Sequence, residues 1–590
     1  MAIAEIIRRD QHLLFRVGFG EDGHKLEPDA ELELPAGTFV FVEPMGDGTA
    51  RLARDDGGNP RVIAAADSAL AGVYRIAVRA GLRLTYPDEV LAEVRALADA
   101  PGIDDPSLVD LTAVPFVTID YAESQDLDQA LFVDVDPDDH SGWRVDYALA
   151  DAAHFVAPDS ALFAEAIARG TSYYLPGLVV PMLPAALSED LVSLRAGVDR
   201  RALVFRVRVS ADGVAGPTQL VRARIRSRAK LSYDGVQAFI DDPAARPIDD
   251  DAVAASLHRL GQVGRARAGL AERRDVIEYD RVSLRLGLPG PDAPELALDA
   301  ERRNAVQSWN EQVSLLTNIE GARFLTATAD GHAVPGLFKV HPPPTPEALG
   351  ELASSIDELV DDLGLDGAWR WRRDEGESLA DYVERLPDDG PGARLARALQ
   401  RQSMLIGQQS FFATEPAPHF GIGAAAYSRF SSPMREIVGV VTDHIALARL
   451  AGAALPDGLD AAVIEAAADA GNRANATQKR ITRQAVKLAM DELFAGELDT
   501  PMADRPRRTG TVLGVTPAKL YVQLDDPPVE VKLYVPDQER LLGVRVAVRG
   551  RFAVAVDGRV LRVGDAVRLC LREYDRHLDR WVLVVEPPAP

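Results

Sequence analysis

Four carboxylates lie close together in residues 118–130, whose sequence is TIDYAESQDLDQA. They are Asp120, Glu123, Asp126 and Asp128. Like charges at this spacing raise one another's pKa unless a cation lies between them, and oxygen ligands without Cys or His suit a hard ion. The segment therefore predicts a magnesium site. The alternative is a solvated acidic loop, because the chain carries 90 Asp and Glu residues.

Apolar residues flank this segment on both sides and indicate the elements that position it. They lie before the first carboxylate at positions 114, 116, 117 and 119, and after the last carboxylate at positions 131, 132, 133 and 135. Both runs have the composition of buried β-strands. We therefore expect the carboxylates to lie on a loop that leaves a core strand.

The carboxylate segment opens a series of motifs that resembles the ribonuclease II family. T-I-D, five residues and D-x-D match the signature of that family's catalytic domain, whose fourth aspartate is replaced here by Gln129. Later motifs follow in the family's order, at residues 147–156, 169–177, 180–184, 187–191, 340–344, 413–423 and 427–435. On these motifs the chain is identified as a member of that family.

The resemblance implies a role for each residue of the predicted site. Asp120 and Asp126 would be ligands of one or two magnesium ions, and Asp128 would be the aspartate most closely tied to the reaction. Arg435 matches the arginine of the family's late motif and would contact the scissile phosphate, unless it forms a structural salt bridge. Two metal ions about 4 Å apart can neutralise a phosphodiester, activate a water and stabilise the leaving oxygen.

Two departures from the family pattern affect the predicted activity. Gln129 offers a neutral carbonyl oxygen, which could coordinate magnesium but would stabilise it less than a carboxylate. After Arg435, the family's R-R-Y-x-D is replaced by REIVG at residues 435–439. The resemblance implies an exoribonuclease that degrades single-stranded RNA from its 3′ end to nucleoside 5′-monophosphates. The alternative is an attenuated or inactive member that acts as an RNA-binding protein.

Two further sets of residues are candidates for RNA binding. Tyr174 precedes L-P-G, as does the family's tyrosine that packs on the terminal nucleotide, and a buried structural role is the alternative. Between residues 222 and 230, five cations alternate with small or apolar residues, which predicts one strand with a basic face. This face would meet RNA backbone or solvent. The five cations are Arg222, Arg224, Arg226, Arg228 and Lys230.

The sequence predicts an α+β multidomain protein. Residues 1–80 have the strand rhythm of a small β-barrel, for which the family implies an OB or cold-shock-like fold, and residues 81–111 form a helical linker. Residues 112–500 correspond to the family's α/β catalytic domain, the RNB domain. Residues 505–590 resemble its C-terminal OB-fold β-barrel. In that barrel Lys519 and Tyr521 are candidates for phosphate contact and base stacking, or for core packing.

Composition limits the remaining possibilities. A net charge of −25 argues against a protein that coats nucleic acid non-specifically, so any RNA contact must be local. The single cysteine, Cys570, excludes an internal disulfide framework and a cysteine-based zinc cluster. The N-terminus lacks a signal-peptide pattern, and no uninterrupted apolar segment approaches the length of a membrane span. We expect a cytoplasmic monomer without membrane contact.

Overall fold

Three parts follow one another along the chain: an N-terminal β-barrel, a central α/β part and a C-terminal barrel of strands. They are seen in a computed structural model, which describes residues 1–10, 12–17, 24–272, 276, 283–327, 335–549, 553–556 and 559–586. Among these residues, no helix is both long and apolar enough to cross a bilayer. The multidomain α+β architecture predicted from the sequence is confirmed.

The first part is a closed barrel of five strands. They are β1 Ala2–Arg9, β2 His12–Val17, β3 His24–Pro28, β4 Phe39–Pro44 and β5 Thr49–Leu52. The strands pair in the order β1-β2-β3-β5-β4, and β4 pairs again with β1, which closes the sheet. Alternate residues such as Ile6, Phe15 and Val40 fill the interior. A five-stranded barrel is the architecture of an OB fold. The short strand β6, Val62–Ala64, adds to β4.

Helices α1 (Ala69–Arg79) and α2 (Asp88–Asp99) connect this barrel to the central part. Ser68 caps α1 by accepting a hydrogen bond from the amide of Ala71. Val73 on the apolar face of α1 belongs to the same buried apolar cluster as Ile481, which lies far along the chain. The linker predicted for residues 81–111 therefore contains α2, and α1 precedes it.

The central part combines many short strands with long helices. Its strands are β7 Val109–Asp110, β8 Thr118–Asp120, β9 Gln129–Val135, β10 Trp143–Ala150, β11 Tyr173–Leu175, β12 Leu178–Val180, β13 Asp199–Val209, β14 Ala215–Arg226, β15 Lys230–Ser232, β16 Ser283–Gly287, β17 Ala297–Glu301, β18 Phe338–Val340 and β19 Phe411–Ala413. Its helices are α3 Ala152–Phe155, α4 Ala161–Arg169, α5 Tyr233–Asp241, α6 Asp251–Glu272, α7 Ala305–Thr326, α8 Pro346–Leu363, α9 Leu379–Glu384, α10 Ala393–Leu405, α11 Ile437–Leu450 and α12 Ala461–Leu498. Single turns of π-helix (Ala186–Leu191) and 3₁₀-helix (Gly367–Trp369, Arg373–Glu375, Phe420–Ile422) interrupt the connections.

A five-stranded sheet in the order β7-β14-β13-β10-β9 forms the centre of this part. Its pairs are antiparallel except for β7 with β14. Tyr147, Leu203 and Phe205 are fully buried in the largest apolar core of the protein, together with residues of α6, α7 and α11. Helix α6 is tied to the sheet because Ser256 accepts a hydrogen bond from the amide of Val133 at 2.8 Å.

The third part is a second barrel. Its elements are β20 Arg507–Thr516, β21 Lys519–Leu524, β22 Glu530–Tyr534, α13 Val535–Leu542, β23 Val546–Arg549, β24 Ala553–Val556, β25 Arg559–Arg562, β26 Ala566–Asp575 and β27 Arg580–Val585. Five strands pair in the order β22-β21-β20-β26-β27, and β22 lies beside β27. The fully buried Gln538 of α13 donates to the carbonyl of Leu583 at 2.8 Å and accepts from the amide of Val585 at 3.0 Å, which fastens the helix to β27.

Candidate active site

The acidic loop lies between two strands, as the sequence predicts. It joins β8, which ends at Asp120, to β9. The Oδ1 atom of Asp120 accepts hydrogen bonds from the amide of Tyr121 at 2.7 Å and from the hydroxyl of Ser124 at 3.0 Å. Lys230 donates to the carbonyl oxygens of Ala122 and Ser124. The loop is therefore fixed by its own backbone and by the strand β15 beside it.

Asp128 and Arg435 form the central ion pair of the site, although they lie far apart in the chain. The Asp128 side chain is 1% exposed, and its Oδ2 atom accepts a hydrogen bond from Nε of Arg435. Its Oδ1 atom accepts from the amide of Met434 at 2.8 Å. Burial raises the pKa of Asp128 to about 6, and the charge of Asp126 adds to this, whereas Arg435 and the Met434 amide oppose it.

Tyr174 of strand β11 reaches the same loop. Its hydroxyl donates a hydrogen bond to Oδ2 of Asp126 at 2.8 Å. Burial of this group raises its pKa above the ordinary value, and the charge of Arg435 opposes the rise. The residue remains 45% exposed, so part of the ring is open to a ligand. Asp126, Asp128, Tyr174 and Arg435 thus converge, and we can treat them as one candidate site.

Asn318 of α7 fixes the segment that carries Arg435. Its Oδ1 atom accepts from the amides of Phe430, at 2.8 Å, and Ser431, at 3.1 Å. Its Nδ2 atom donates to the hydroxyls of Tyr427 and Ser431, both at 2.9 Å. All donors and acceptors of a fully buried amide are therefore satisfied by one loop. Asn318 thus serves as a scaffold for the segment that carries Arg435.

Both polar atoms of the Gln129 side chain form hydrogen bonds within the protein. Its Oε1 atom accepts a hydrogen bond from the hydroxyl of the buried Tyr147, and its Nε2 atom donates to the carbonyl of Ser431. The residue thereby links β9 and β10 to the segment that carries Arg435. A metal contact by Gln129 stays a prediction, because the structure gives its amide other partners.

The donor set fits a hard divalent ion at two carboxylates. Within the described residues, no group of three or more Asp, Glu, His or Cys side chains is arranged to hold a metal. The hydrogen bonds within that part of the chain reach Oδ1 of Asp120 and Oδ2 of Asp126, which leaves one oxygen of each carboxylate available. Magnesium commonly takes one or two protein carboxylates, with waters and substrate phosphates as its other ligands.

The stretch after Arg435, which is the second departure from the family pattern, begins with Glu436, and this residue is bound by Arg429. Glu436 accepts hydrogen bonds from Nε and Nη2 of Arg429 at distances of 3.0 to 3.3 Å. Burial raises the pKa of Glu436, but the charge and hydrogen bonds of Arg429 outweigh it, and the net shift is downward. An ion pair between Arg429 and Glu436 therefore braces the segment immediately beside Arg435.

Comparison with known proteins agrees with this arrangement. The RNB domain family matches residues 108–445. The chain belongs to the RNB domain family. Exoribonuclease 2 of Cronobacter sakazakii is 29% identical over 474 residues, which cover 79% of this chain and 68% of that protein. Exoribonuclease 2 of Klebsiella pneumoniae is 28% identical over 474 residues, with the same two coverages. The predicted membership of the ribonuclease II family is confirmed.

Two solved structures show the same fold at low sequence identity. Mycoplasma genitalium RNase R, in complex with ribose-methylated single-stranded RNA, has a TM-score of 0.78 and 19% identity, over 99% of this chain and 89% of that one. Yeast Ssd1, described as a pseudonuclease, has a TM-score of 0.57 and 12% identity, over 91% of this chain and 65% of that one. This fold therefore occurs both in an RNase and in a protein called a pseudonuclease.

The structure does not contain the single basic strand that the sequence predicts for residues 222–230. Arg222, Arg224 and Arg226 lie on β14 with buried Ala223 and Ile225 between them, so the alternation is confirmed there. Strand β14 ends at Arg226, however, because Ser227 forms an isolated bridge with Ala196 and the chain bends at Arg228. Arg228 donates to the carbonyl of Ala113, and Lys230 belongs to β15. One continuous face of five cations is therefore not formed.

Aspartates neutralise the three arginines of β14. Arg222 binds Asp151, Arg224 binds Asp110 and Arg226 binds Asp199, with nitrogen–oxygen distances of 2.7, 2.7 and 2.6 Å. A cation that already has a carboxylate partner offers little charge to a phosphate. A contact between RNA and these arginines stays a prediction, and their partners argue against it.

The two candidates in the C-terminal barrel lie in an aromatic and basic group. The ammonium of Lys519 lies 5.7 Å from the ring centroids of both Tyr521 and Tyr534. The guanidinium of Arg580 lies over the ring of Tyr534, 3.6 Å from its centroid. Sequence reasoning missed Tyr534 and Arg580, because they are on other strands. Cations near aromatic rings suit a nucleic-acid face, so the RNA-binding prediction for Lys519 and Tyr521 stands.

Sequence reasoning also missed two buried aspartates behind the site. Asp151 follows β10 and binds Arg201 at 3.1 Å and Arg222 at 2.7 Å. Asp443 of α11 is fully buried, and neither of its oxygens has a hydrogen-bond partner within the described residues. Burial raises the pKa of Asp443 well above its ordinary value, and the charge of Asp151 adds to the rise. Asp151 lies in the family-like motif at residues 147–156, but its arginine partners are distant in sequence, and no motif marks Asp443.

Substitutions of these two aspartates should change the free energy of unfolding in opposite directions. Because the folded protein favours the neutral form of Asp443, this carboxyl stabilises the fold below its ordinary pKa, and the contribution is lost as the pH rises. Asp443→Asn should therefore match the wild type near pH 4 and exceed its free energy of unfolding at pH 8 by about 1–3 kcal/mol. Asp151→Asn leaves two arginines without their carboxylate and should lower the free energy of unfolding by about 3–5 kcal/mol.

Urea unfolding of the wild type and both variants at pH values between 4 and 8 would measure these differences. A loss of stability in Asp443→Asn that is independent of pH would contradict the assignment of a neutral carboxyl.

Proposed function

We propose that this protein is a magnesium-dependent 3′-to-5′ exoribonuclease that hydrolyses single-stranded RNA to nucleoside 5′-monophosphates and acts as a monomer. The observation that carries the proposal is the convergence of Asp126, Asp128, Tyr174 and Arg435 at the end of the acidic loop. Relatives that are named exoribonuclease 2 support it, as does the fold shared with an RNase R bound to single-stranded RNA.

Each residue of the site has a definite task in this proposal. Asp120 and Asp126 hold the metal through the oxygens that the protein leaves available. The bound ion would neutralise phosphate charge and lower the pKa of a water. Arg435 presents the edge of its guanidinium that Asp128 does not occupy, and binds the scissile phosphate. Tyr174 packs against the terminal base, while its hydroxyl keeps Asp126 in position.

Asp128 acts chiefly through Arg435. Its two oxygens are occupied by the Met434 amide and by Arg435, so it fixes the direction in which the guanidinium points. Asn318 and Gln129 hold the backbone of the same segment at Phe430 and Ser431. A phosphate bound by Arg435 is therefore positioned by contacts that come from β9, α7 and the segment before α11.

A single assay tests the proposal. Single-stranded RNA that carries a label at its 5′ end should shorten one nucleotide at a time in magnesium and remain intact in EDTA. Chromatography of the products should show nucleoside 5′-monophosphates. Internal fragments, or no cleavage at any magnesium concentration, would overturn it.

A second candidate function is RNA binding with little or no hydrolysis. Gln129 favours it, because a neutral amide occupies the position of the family's fourth aspartate and is bonded to Tyr147 and Ser431. The fold shared with the pseudonuclease Ssd1 also favours it. Under this function the wild type would bind RNA and leave it uncleaved in magnesium.

Gln129→Asp separates the two functions. For an active enzyme, the added charge should lower the magnesium concentration needed for half-maximal rate and raise the rate, because it attracts the ion at short range. Gln129→Ala is the matched control, since it removes the same two hydrogen bonds without adding charge. Equal magnesium titrations for the two variants would mean that position 129 does not affect the ion. If all three proteins bind RNA and none cleaves it, the second function is correct.

A further inference from the structure

Helix α12 contains a stretch in which every charged residue is basic. Between Asp469 and Asp491 the sequence has five cations and no carboxylate. The chain as a whole has a net charge of −25, so such a stretch is unusual for this protein. The cations are Arg473, Lys479, Arg480, Arg483 and Lys487. We call the surface that they form the α12 basic face.

Helical geometry places these five cations on one side of α12. At 3.6 residues per turn, they fall within about 120° of the helix circumference. The opposite side packs into the protein through Ala474, Ile481, Ala485 and Ala489, which are all buried. Arg473, Lys479, Arg480 and Arg483 are exposed. The α12 basic face is thus directed towards solvent.

Four of these cations lack a carboxylate partner in the part of the chain that the structure describes. Lys479 donates to the side-chain oxygen of Gln409 at 3.5 Å, and Arg480 donates to the carbonyl of Ala80 at 3.1 Å. Arg483 donates to the carbonyl of Lys479 at 3.2 Å. Like charges three and four residues apart in a helix repel, so this arrangement is unfavourable without an anion.

The fifth cation connects the α12 basic face to the C-terminal barrel. Lys487 binds Asp491 at 2.9 Å and Asp579 at 3.2 Å, and it lies 3.5 Å from the hydroxyl of Tyr574. Asp579 is in the turn between β26 and β27, and the indole of Trp581 donates to Asp491 at 2.6 Å.

Helix α12 also passes the candidate active site. Gln478, which lies on the packed side of the helix and directly precedes Lys479, donates to the carbonyl of Tyr174 at 3.5 Å. From Lys479, level with this contact, to Lys487 the helix rises about 12 Å. At the ~3.4 Å spacing of phosphates along a stacked strand, this length corresponds to about three to four nucleotides.

We propose that the α12 basic face is the track along which the phosphates of single-stranded RNA pass between the C-terminal barrel and the acidic loop. The inference rests on the proposed function, and it assigns RNA binding to Arg473, Lys479, Arg480 and Arg483. It also gives Lys479, Arg480 and Arg483 an anion that balances their mutual repulsion. The paired arginines of β14 would then contribute little to binding.

The test compares two double variants with the same change in charge. Lys479→Gln/Arg483→Gln alters the track, and Arg224→Gln/Arg226→Gln alters the ion pairs of β14. Binding of an unstructured oligoadenylate is measured in EDTA, so that hydrolysis does not interfere, between ~50 and ~200 mM salt. The slope of log affinity against log salt should become shallower by about 1.4 for the α12 variant, at about 0.7 per phosphate contact, and should not change for the β14 variant.

Each outcome has a definite meaning. An unchanged slope for the α12 variant would overturn the track, and a shallower slope for the β14 variant alone would restore the basic strand predicted from the sequence. The midpoint of thermal unfolding should stay the same or rise for the α12 variant, since repulsion is relieved. A marked fall would contradict the repulsion argument. If the slopes differ as expected but the wild type leaves RNA uncleaved in magnesium, the track is correct and the nuclease function is not.

Discussion

Asp128→Asn should lower the rate of RNA hydrolysis at least ~100- to 1,000-fold, the effect of removing one preorganised electrostatic group from a reaction centre. The neutral amide cannot hold the charge of Arg435 as the buried carboxylate does, so the guanidinium loses its fixed direction. The affinity for RNA should change by no more than a few fold, because binding depends on the α12 basic face, Tyr174 and the barrels.

Initial rates with labelled RNA in magnesium and binding by gel shift in EDTA would measure the two effects separately. Glu123→Gln is a matched control, because it removes one carboxylate from the same loop at an exposed position. A similar loss of rate in both variants would mean that the total charge of the loop matters, and Asp128 has no special part. A collapse of affinity together with the rate would contradict the separation of binding from hydrolysis.

Arg435→Gln should lower the free energy of unfolding at pH 8 by about 3 kcal/mol or more, because it leaves the buried carboxylate of Asp128 without its cation. Asp128→Asn should cost less, since Arg435 is 31% exposed and can be hydrated. The double variant Asp128→Asn/Arg435→Gln should recover most of the loss of Arg435→Gln. The reason is that no charge is then buried alone.

Urea unfolding of the wild type, both single variants and the double variant forms a complete double-mutant cycle. An interaction energy of about 1–3 kcal/mol is expected for charges in direct contact. Strict additivity would show that the two side chains do not stabilise each other. All three variants should also lose hydrolysis, so the cycle distinguishes the stability of the ion pair from its catalytic use.

Much of the fold could be predicted from the sequence because the signals are local. The strands around the acidic loop follow from the apolar runs on each side, and the C-terminal barrel follows from alternating residues such as Leu520 and Val522. The candidate site was accessible for the same reason, since Asp120, Asp126 and Asp128 lie within one motif. Tyr174 and Arg435 were found through motifs that the family repeats in a fixed order.

Partners from distant parts of the chain could not be predicted. The period of two in residues 222–230 is a real property of β14, but Asp110, Asp151 and Asp199 reach its arginines only after folding. The alternation of cations with small or apolar residues also continues past Arg226, where β14 ends. The end of a strand is set by backbone hydrogen bonding and not by side-chain type. Gln129 posed the same difficulty, because its partner Ser431 lies 302 residues away.

Helix α12 has 38 residues and a length of about 57 Å, so it extends along much of the protein. It packs against α1 beside the first barrel, against β11 at the site and against β26 in the last barrel. A helix with contacts of this kind couples the stabilities of the parts it touches, because loss of the helix would remove packing from all three. We expect hydrogen exchange at its buried positions to report on cooperative opening of the whole molecule, whereas exchange within either barrel can follow local events. The three parts are separate in the order of the chain but share one element in their unfolding.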